Sequence, residues 1–223
     1  MPISNIPIAT IFLAILNTFI FAYGLLSGSQ EQIIRNYGFI PGYLFHSNDS
    51  LRHFNSFLSL PLSVAAEDAL MRLFSSIFIH TNIVHLAFNM MALVYLGGYA
   101  ERSVGVLRYV VIYILAGVLG ALFYGVIATF ILGNGYAVLI GASGAISGII
   151  GIAAATGKTQ AYYWILLQII FAVVGSVTSI PIAFTAHIGG FIAGLSFTKV
   201  FVSLDRIKRT RYWSRNSSNY SKY

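Results

Sequence analysis

The segment Gly141-Ala142-Ser143-Gly144-Ala145-Ile146-Ser147-Gly148, continued by Ile149-Ile150-Gly151-Ile152-Ala153-Ala154-Ala155-Thr156-Gly157, decides how this chain is read. From Ser143 to Gly157 it is uncharged and fifteen residues long. As a helix that length rises about 22 Å, whereas the hydrocarbon core of a bilayer is about 30 Å thick. Such a helix is expected to begin inside the membrane, with Ser143 at its N-terminus. Free backbone N–H groups and the positive end of the helix dipole favour a developing anion at that point. Gly144 and Gly148 form a GxxxG face that lets another helix backbone approach closely.

The surrounding chain is built for lipid. Of its 223 residues 57% are hydrophobic and 9% charged, with a mean hydropathy of +0.80, against about 25% charged in an ordinary soluble domain. At about 20 residues per span, six helices are expected: Ile6–Leu26, Asn82–Ala100, Val106–Leu132, Gly144–Gly157, Tyr162–Ile180 and Phe184–Leu204. They are divided by Gly, Pro or charged residues. The expected class is an all-α membrane protein, with a six-helix membrane domain over 1–204 and a basic tail over 205–223. The long segment of about 27–79 between the first two spans is too polar to cross. Its apolar stretch Phe54–Leu62, broken by Pro61, suits an interfacial or re-entrant helix, so this first loop is expected outside and partly helical. The amino terminus has no basic n-region or small-residue cleavage site and reads as a retained first span.

Charge sets orientation and excludes some partners. There is no cysteine, which removes disulfides, thiolate catalysis and Cys-ligated metals. The net charge of +7 comes largely from the last eighteen residues, where six of the thirteen Lys and Arg lie. Such a juxtamembrane tail is a topology signal touching anionic headgroups, and no nucleic-acid binding is expected. Arg102, Arg108, Lys158, Lys199 and the six tail residues fall on one side of the membrane, against Arg35, Arg52 and Arg72 on the other. Ten against three places both termini in the cytoplasm, and the absence of a targeting peptide or further domain points to the plasma membrane of a prokaryote.

Strongly polar groups inside spans are costly and usually functional. The apolar runs are interrupted by His85, Asn89, Ser143, Ser147 and His187, with His80 just before a span. His85 and Asn89 share one helical face, and Thr81 or Asn82 is the expected N-cap of their helix. In the last span, His187 precedes Gly190 and Gly194 at i+3 and i+7, a smooth face matching that of Gly144 and Gly148. If the two faces pack, His187 comes within reach of the Ser143 proton as a general base. Neither helix carries Asp or Glu, so the expected unit is a Ser-His dyad with His187 oriented by packing. Each residue also has a plainer role: Ser143 alone as a small packing residue, His85 and Asn89 as a structural pair, Glu101, Arg102 and Arg72 as cap, loop or ion-pair residues. His80 and His85 are five apart instead of four and no HExxH glutamate follows, so neither a metal nor another cofactor is expected.

Jointly, the motifs resemble those of the rhomboid intramembrane serine proteases over nearly the whole chain. His80-x4-His85-x3-Asn89 matches the family's second-helix pattern, Gly141-Ala142-Ser143-Gly144 its GxSG motif, and Ala186-His187-Ile188-Gly189-Gly190 with Gly194 its sixth-helix motif. Tyr95-Leu96-Gly97-Gly98 with Glu101 and Gly105 looks like the segment closing the second helix, and Arg72 like the first-loop arginine. The resemblance implies attack by Ser143, proton transfer by His187, and an oxyanion held by the Ser143 backbone N–H with the His85 and Asn89 side chains. Gly141, Gly144, His80 and Gly190 would support that site. It also implies substrates that are transmembrane segments of other proteins, entering sideways from the bilayer. Two positions depart from the family: Ser147 stands where an aromatic residue usually stacks on the histidine, and Met71 where Trp often precedes the arginine. The alternatives are a non-catalytic relative that binds transmembrane clients, which should lack the serine or the histidine, and a small-solute transporter, which should show inverted repeats or paired broken helices. Substrate identity and oligomeric state are not encoded in any of these motifs.

Overall fold

A computed structural model describes residues 6–45, 66–178 and 183–220, with side chains over 6–45, 68–170 and 183–205. Within these residues the secondary structure is helical apart from one isolated β-bridge between Phe39 and Leu139. The helices are α1 (Ile8–Leu26), α2 (Gln30–Tyr37), the single turn α3 (Gly42–Phe45), α4 (Ala66–Ser75), α5 (Ile83–Val104), α6 (Val106–Val126, continued as a π-helical turn over Ile127–Ile131), α7 (Ser143–Ala155), α8 (Tyr163–Thr178) and α9 (Phe184–Tyr220). The expected interfacial stretch Phe54–Leu62 and the break at Pro181 lie outside the described residues.

Four of these helices are long and apolar enough to cross a membrane: α1, α5, α6 with its π turn, and Phe184–Asp205 of α9. The thirteen-residue α7 is shorter and apolar, and α8 has sixteen residues. Burial follows the pattern of a protein solvated by lipid. Phe12, Phe19, Phe88, Met91 and Tyr95 face outward, whereas Asn17, Glu101, Ser147, Gln168 and Thr198 are buried.

The centre of the bundle is where α6, α7 and α9 meet on glycine. A Cβ at Gly190 would run into the Gly144 carbonyl, and one at Gly194 into the Gly148 carbonyl. Gly120 of α6 closes the third side, where a Cβ would lie 2.5 Å from the Ala186 carbonyl and 3.1 Å from the Gly190 nitrogen. In lipid, where apolar surface alone gives helices little reason to associate, this close approach supplies the van der Waals contact that does. Leu93, Tyr109, Ile112, Tyr113, Ile146, Ile149 and Ile152 pack around it.

Three polar clamps hold the remaining elements. Pro7 gives α1 no side-chain cap. Instead Glu101 of α5 accepts from the Ala9 and Thr10 N–H groups at 3.1 and 2.8 Å and from the Thr10 hydroxyl at 2.8 Å, so the residue expected as a cap or ion-pair partner caps a different helix. Arg72 of α4, buried over the Tyr43 ring, donates to the Arg35 and Gly38 carbonyls at 2.6 and 3.1 Å, tying the first-loop elements together. At the far end Arg108 pairs with Asp205 through two contacts of 2.6 and 2.8 Å. The expected boundary between membrane domain and tail, at 204/205, therefore falls inside a continuous helix at a residue anchored to α6.

Candidate active site

The approach to α7 is pinned before it starts. Leu139 exchanges two backbone hydrogen bonds with Phe39, at 2.8 and 3.0 Å, and the Gly141 N–H donates to the Ser76 carbonyl at 2.9 Å. Gly141 has φ +122°, and a Cβ there would lie 2.8 Å from both Cε1 and Nε2 of His85. Only glycine meets both demands. The helix then begins at Ser143 with Ala142 as N-cap and no side chain capping it, so the first-turn N–H groups keep their capacity for an external acceptor.

His187, on α9 one turn before Gly190, brings Nε2 within 2.8 Å of the Ser143 hydroxyl. The glycine contacts between α7 and α9 fix this spacing, as the matched faces of the sequence predict. The other ring nitrogen, Nδ1, is 2.7 Å from Oε1 of Gln168. An amide oxygen only accepts, so Nδ1 carries the proton and Nε2 is left as the acceptor for the Ser143 hydroxyl. To the packing expected to orient His187 the fold adds a direct side-chain hydrogen bond from α8. Trp164, four residues before Gln168 on the same face, has its ring centre 6.0 Å from that of His187. Its indole N–H donates to the Ser147 hydroxyl at 3.2 Å, and Ser147 donates to the Ser143 carbonyl at 2.8 Å. Serine at 147 leaves room for an aromatic ring arriving from α8. Neither Trp164 nor Gln168 was among the expected site residues, although a glutamine inside the run Tyr162–Ile180 carries the same signal that singled out His85 and Asn89.

On the opposite side, α5 presents His85 and Asn89. Asn82 is its N-cap, accepting the His85 N–H at 2.9 Å. Asn82 also donates to the Thr81 hydroxyl at 3.3 Å, and that hydroxyl lies 3.2 Å from Nδ1 of His85. Where Thr81 donates to Nδ1, the His85 proton sits on Nε2, the nitrogen beside Gly141. Asn89 is buried, and its amide nitrogen has no hydrogen-bond partner among the described residues. Buried donors are rarely left unused, and this one borders a groove of about 1240 Å³ lined by residues that include Phe88, Met91, Tyr95, Ser143, Ile146 and Trp164. His80 is not brought to Ser143. It is fully buried before α5, its ring edge-on to His85 at 5.1 Å. Burial first, then the neighbouring His85, push its imidazole down to about 4. Among the described residues no three His, Cys, Asp or Glu side chains gather as a metal site would require.

The arrangement therefore comprises a hydroxyl with a base in contact, uncapped helix N–H groups, and an unpartnered Asn89 amide bordering an apolar groove, with the His85 ring beside Gly141. Comparison with known proteins points the same way. The model of the Rhomboid domain matches residues 67–204. The rhomboid protease GlpG of Salmonella paratyphi A is 30% identical over 162 residues, covering 69% of this chain and 56% of its own. RHOMBOID-like protein 2 of Arabidopsis thaliana is 31% identical over 160 residues, 68% of this chain and 47% of its own. Inactive RHOMBOID-like protein 8 of the same plant is 40% identical over 52 residues, 23% of this chain and 15% of its own. The chain thus spans about half the length of the first two of these relatives.

Proposed function

This chain belongs to the rhomboid family of multi-pass membrane proteins, and from that premise we propose that it is an intramembrane serine endopeptidase cleaving peptide bonds in or near transmembrane segments of other membrane proteins. The observation that carries the proposal is the 2.8 Å contact between Ser143 Oγ and His187 Nε2. Ser143 Oγ attacks the scissile carbonyl while its proton passes to His187. The oxyanion accepts from the Ser143 backbone N–H, His85 Nε2–H and Asn89 Nδ2–H, groups preorganised in a site of low polarity. His187 then delivers its proton to the departing amine. In the second half it takes a proton from water as the water oxygen attacks the acyl ester, and returns that proton to Ser143 Oγ as the ester opens.

The remaining features take their place in this scheme. Six helices cross the membrane, α7 and α8 completing the four longer ones. The domain over 1–204 runs through one continuous helix into a cytoplasmic tail over 205–223 whose first residue is still anchored to α6, both termini lie in the cytoplasm of a plasma-membrane protein, and a substrate helix reaches Ser143 along the apolar groove beside α5. A label placed after Arg211 is then protected from impermeant reagents in intact cells, and reaction from outside would invert the topology.

The decisive experiment measures cleavage of a protein with a single transmembrane segment by the wild type, Ser143→Ala and His187→Ala, all three verified as folded. Loss of cleavage in both variants is the expected result. Cleavage surviving in Ser143→Ala would overturn the proposal, and binding of the segment without cleavage by the wild type would favour a client-binding role.

A further inference from the structure

A base that shuttles a proton needs both nitrogens controlled: Nε2 must accept from the nucleophile, and Nδ1 must hold the proton. In chains with a catalytic carboxylate the third group does this and also offsets the imidazolium charge. α7 carries no carboxylate, and the one on α9, Asp205, lies eighteen residues beyond His187 and is paired with Arg108; here the partner comes from another helix. Gln168 is 1% exposed, whereas Leu166, Ile169 and Ile170 beside it face outward at 55, 50 and 48%. The helix turns its polar residue inward and its apolar residues to lipid. One turn earlier Trp164 lies against the same imidazole and is tethered through Ser147 to the nucleophile's own turn. Two residues at i and i+4 of α8 thus address one ring from its Nδ1 edge and its flank.

We propose that Gln168 is a positioning residue of the proteolytic site, its Oε1 accepting the Nδ1 proton of His187 so that the ring stays in the tautomer and orientation that accept from Ser143, with Trp164 and Ser147 bracing it. The proposal rests on the protease reading above, but the position of the proton can be observed without cleavage. A neutral amide orients without adding a full negative charge, so the unit is a dyad with an oriented base. The other titratable group facing the imidazole is His85 of α5, and removing Gln168 leaves it in place.

The test compares the full-length wild type with Gln168→Met, of similar length but with no hydrogen bond, and Gln168→Glu, which keeps an oxygen acceptor. In detergent, nitrogen NMR of labelled histidine is expected to show His187 protonated on Nδ1 in the wild type and in Gln168→Glu. In Gln168→Met it is expected to show a mixture of the two tautomers. With a fluorogenic peptide containing one apolar segment, kcat falls about tenfold in Gln168→Met, the size of one lost neutral hydrogen bond, while KM is unchanged, and Gln168→Glu recovers most of the loss. Should Gln168→Met fail to fold, Trp164→Phe, which removes only the tether to Ser147, is expected to lower kcat about threefold. Unchanged tautomer and unchanged kcat in Gln168→Met would overturn the assignment. A tautomer shift in a protein that never cleaves would retain Gln168 as the orienting group and reject the protease instead.

Discussion

Ser143 and His187 sit on the boundary between two parts of the molecule that are held together differently. On one side α6, α7 and α9 meet at Gly120, Gly144, Gly148, Gly190 and Gly194, and all of these but Gly144 leave no room for a Cβ. On the other, α5 and α8 form a rim whose Asn89 and Trp164 line an open groove, with Gln168 bonded to His187 and His85 beside Gly141. The first region fixes where the two reacting groups are. In the protease proposed above, the second turns them and surrounds the developing charge. A contact made by main chain has no small adjustments available, whereas one made by long side chains can be removed atom by atom with the scaffold intact.

The contrast breaks most severely at Gly190. Gly190→Ala drives a methyl into the Gly144 carbonyl, and we expect a loss of about 3 kcal/mol or more, the upper end of overpacking effects, with cleavage abolished. Unfolding in detergent measures it, and a stable, active variant would show that the centre is not rigid. At the rim, Asn89→Ala is expected to lower kcat by about 10²- to 10³-fold, the scale of one missing oxyanion donor, with the unfolding midpoint unmoved. A rate equal to the wild type would leave the buried amide nitrogen without a catalytic purpose. The smallest effect concerns His80 behind the rim, held near 4 in the fold against about 6.5 in the unfolded chain. Between those values the unfolded state binds the extra proton, so stability is complete above pH 6.5 and falls as pH drops, by about 2 kcal/mol at pH 5. His80→Gln should flatten that part of the stability profile, and a profile parallel to the wild type would show that His80 does not titrate there.

The two regions also differed in how far the sequence revealed them. Glycines spaced at four on the segments of Ser143 and His187 announce a close helix pair, because small residues inside an apolar span have few other uses. The approach of Gly120 was not foreseen: α6 carries no polar residue at that level to draw notice. Gln168 and Trp164 were overlooked for a different reason. They meet a ring nineteen and twenty-three residues further along the chain, a pairing created only when α8 turns its narrow buried face toward α9, and helical periodicity within α8 says nothing of that partner. Thr81 was read as a possible cap, and the structure gives that position to Asn82 while Thr81 turns to His85. Local rules placed both residues at the helix start, and only the fold separated their tasks.

The clamp between Glu101 and the first turn of α1 has a consequence for biogenesis. The two ends of that contact are separated by 92 residues of chain, which at about 5–20 residues per second takes roughly 5 to 20 s to synthesise. For that interval α1 stands in the membrane with its opening N–H groups served only by water and headgroups. The arrival of α5 with its carboxylate then makes the first span a fixed part of the bundle, so a nascent chain arrested before Glu101 should carry α1 inserted but undocked.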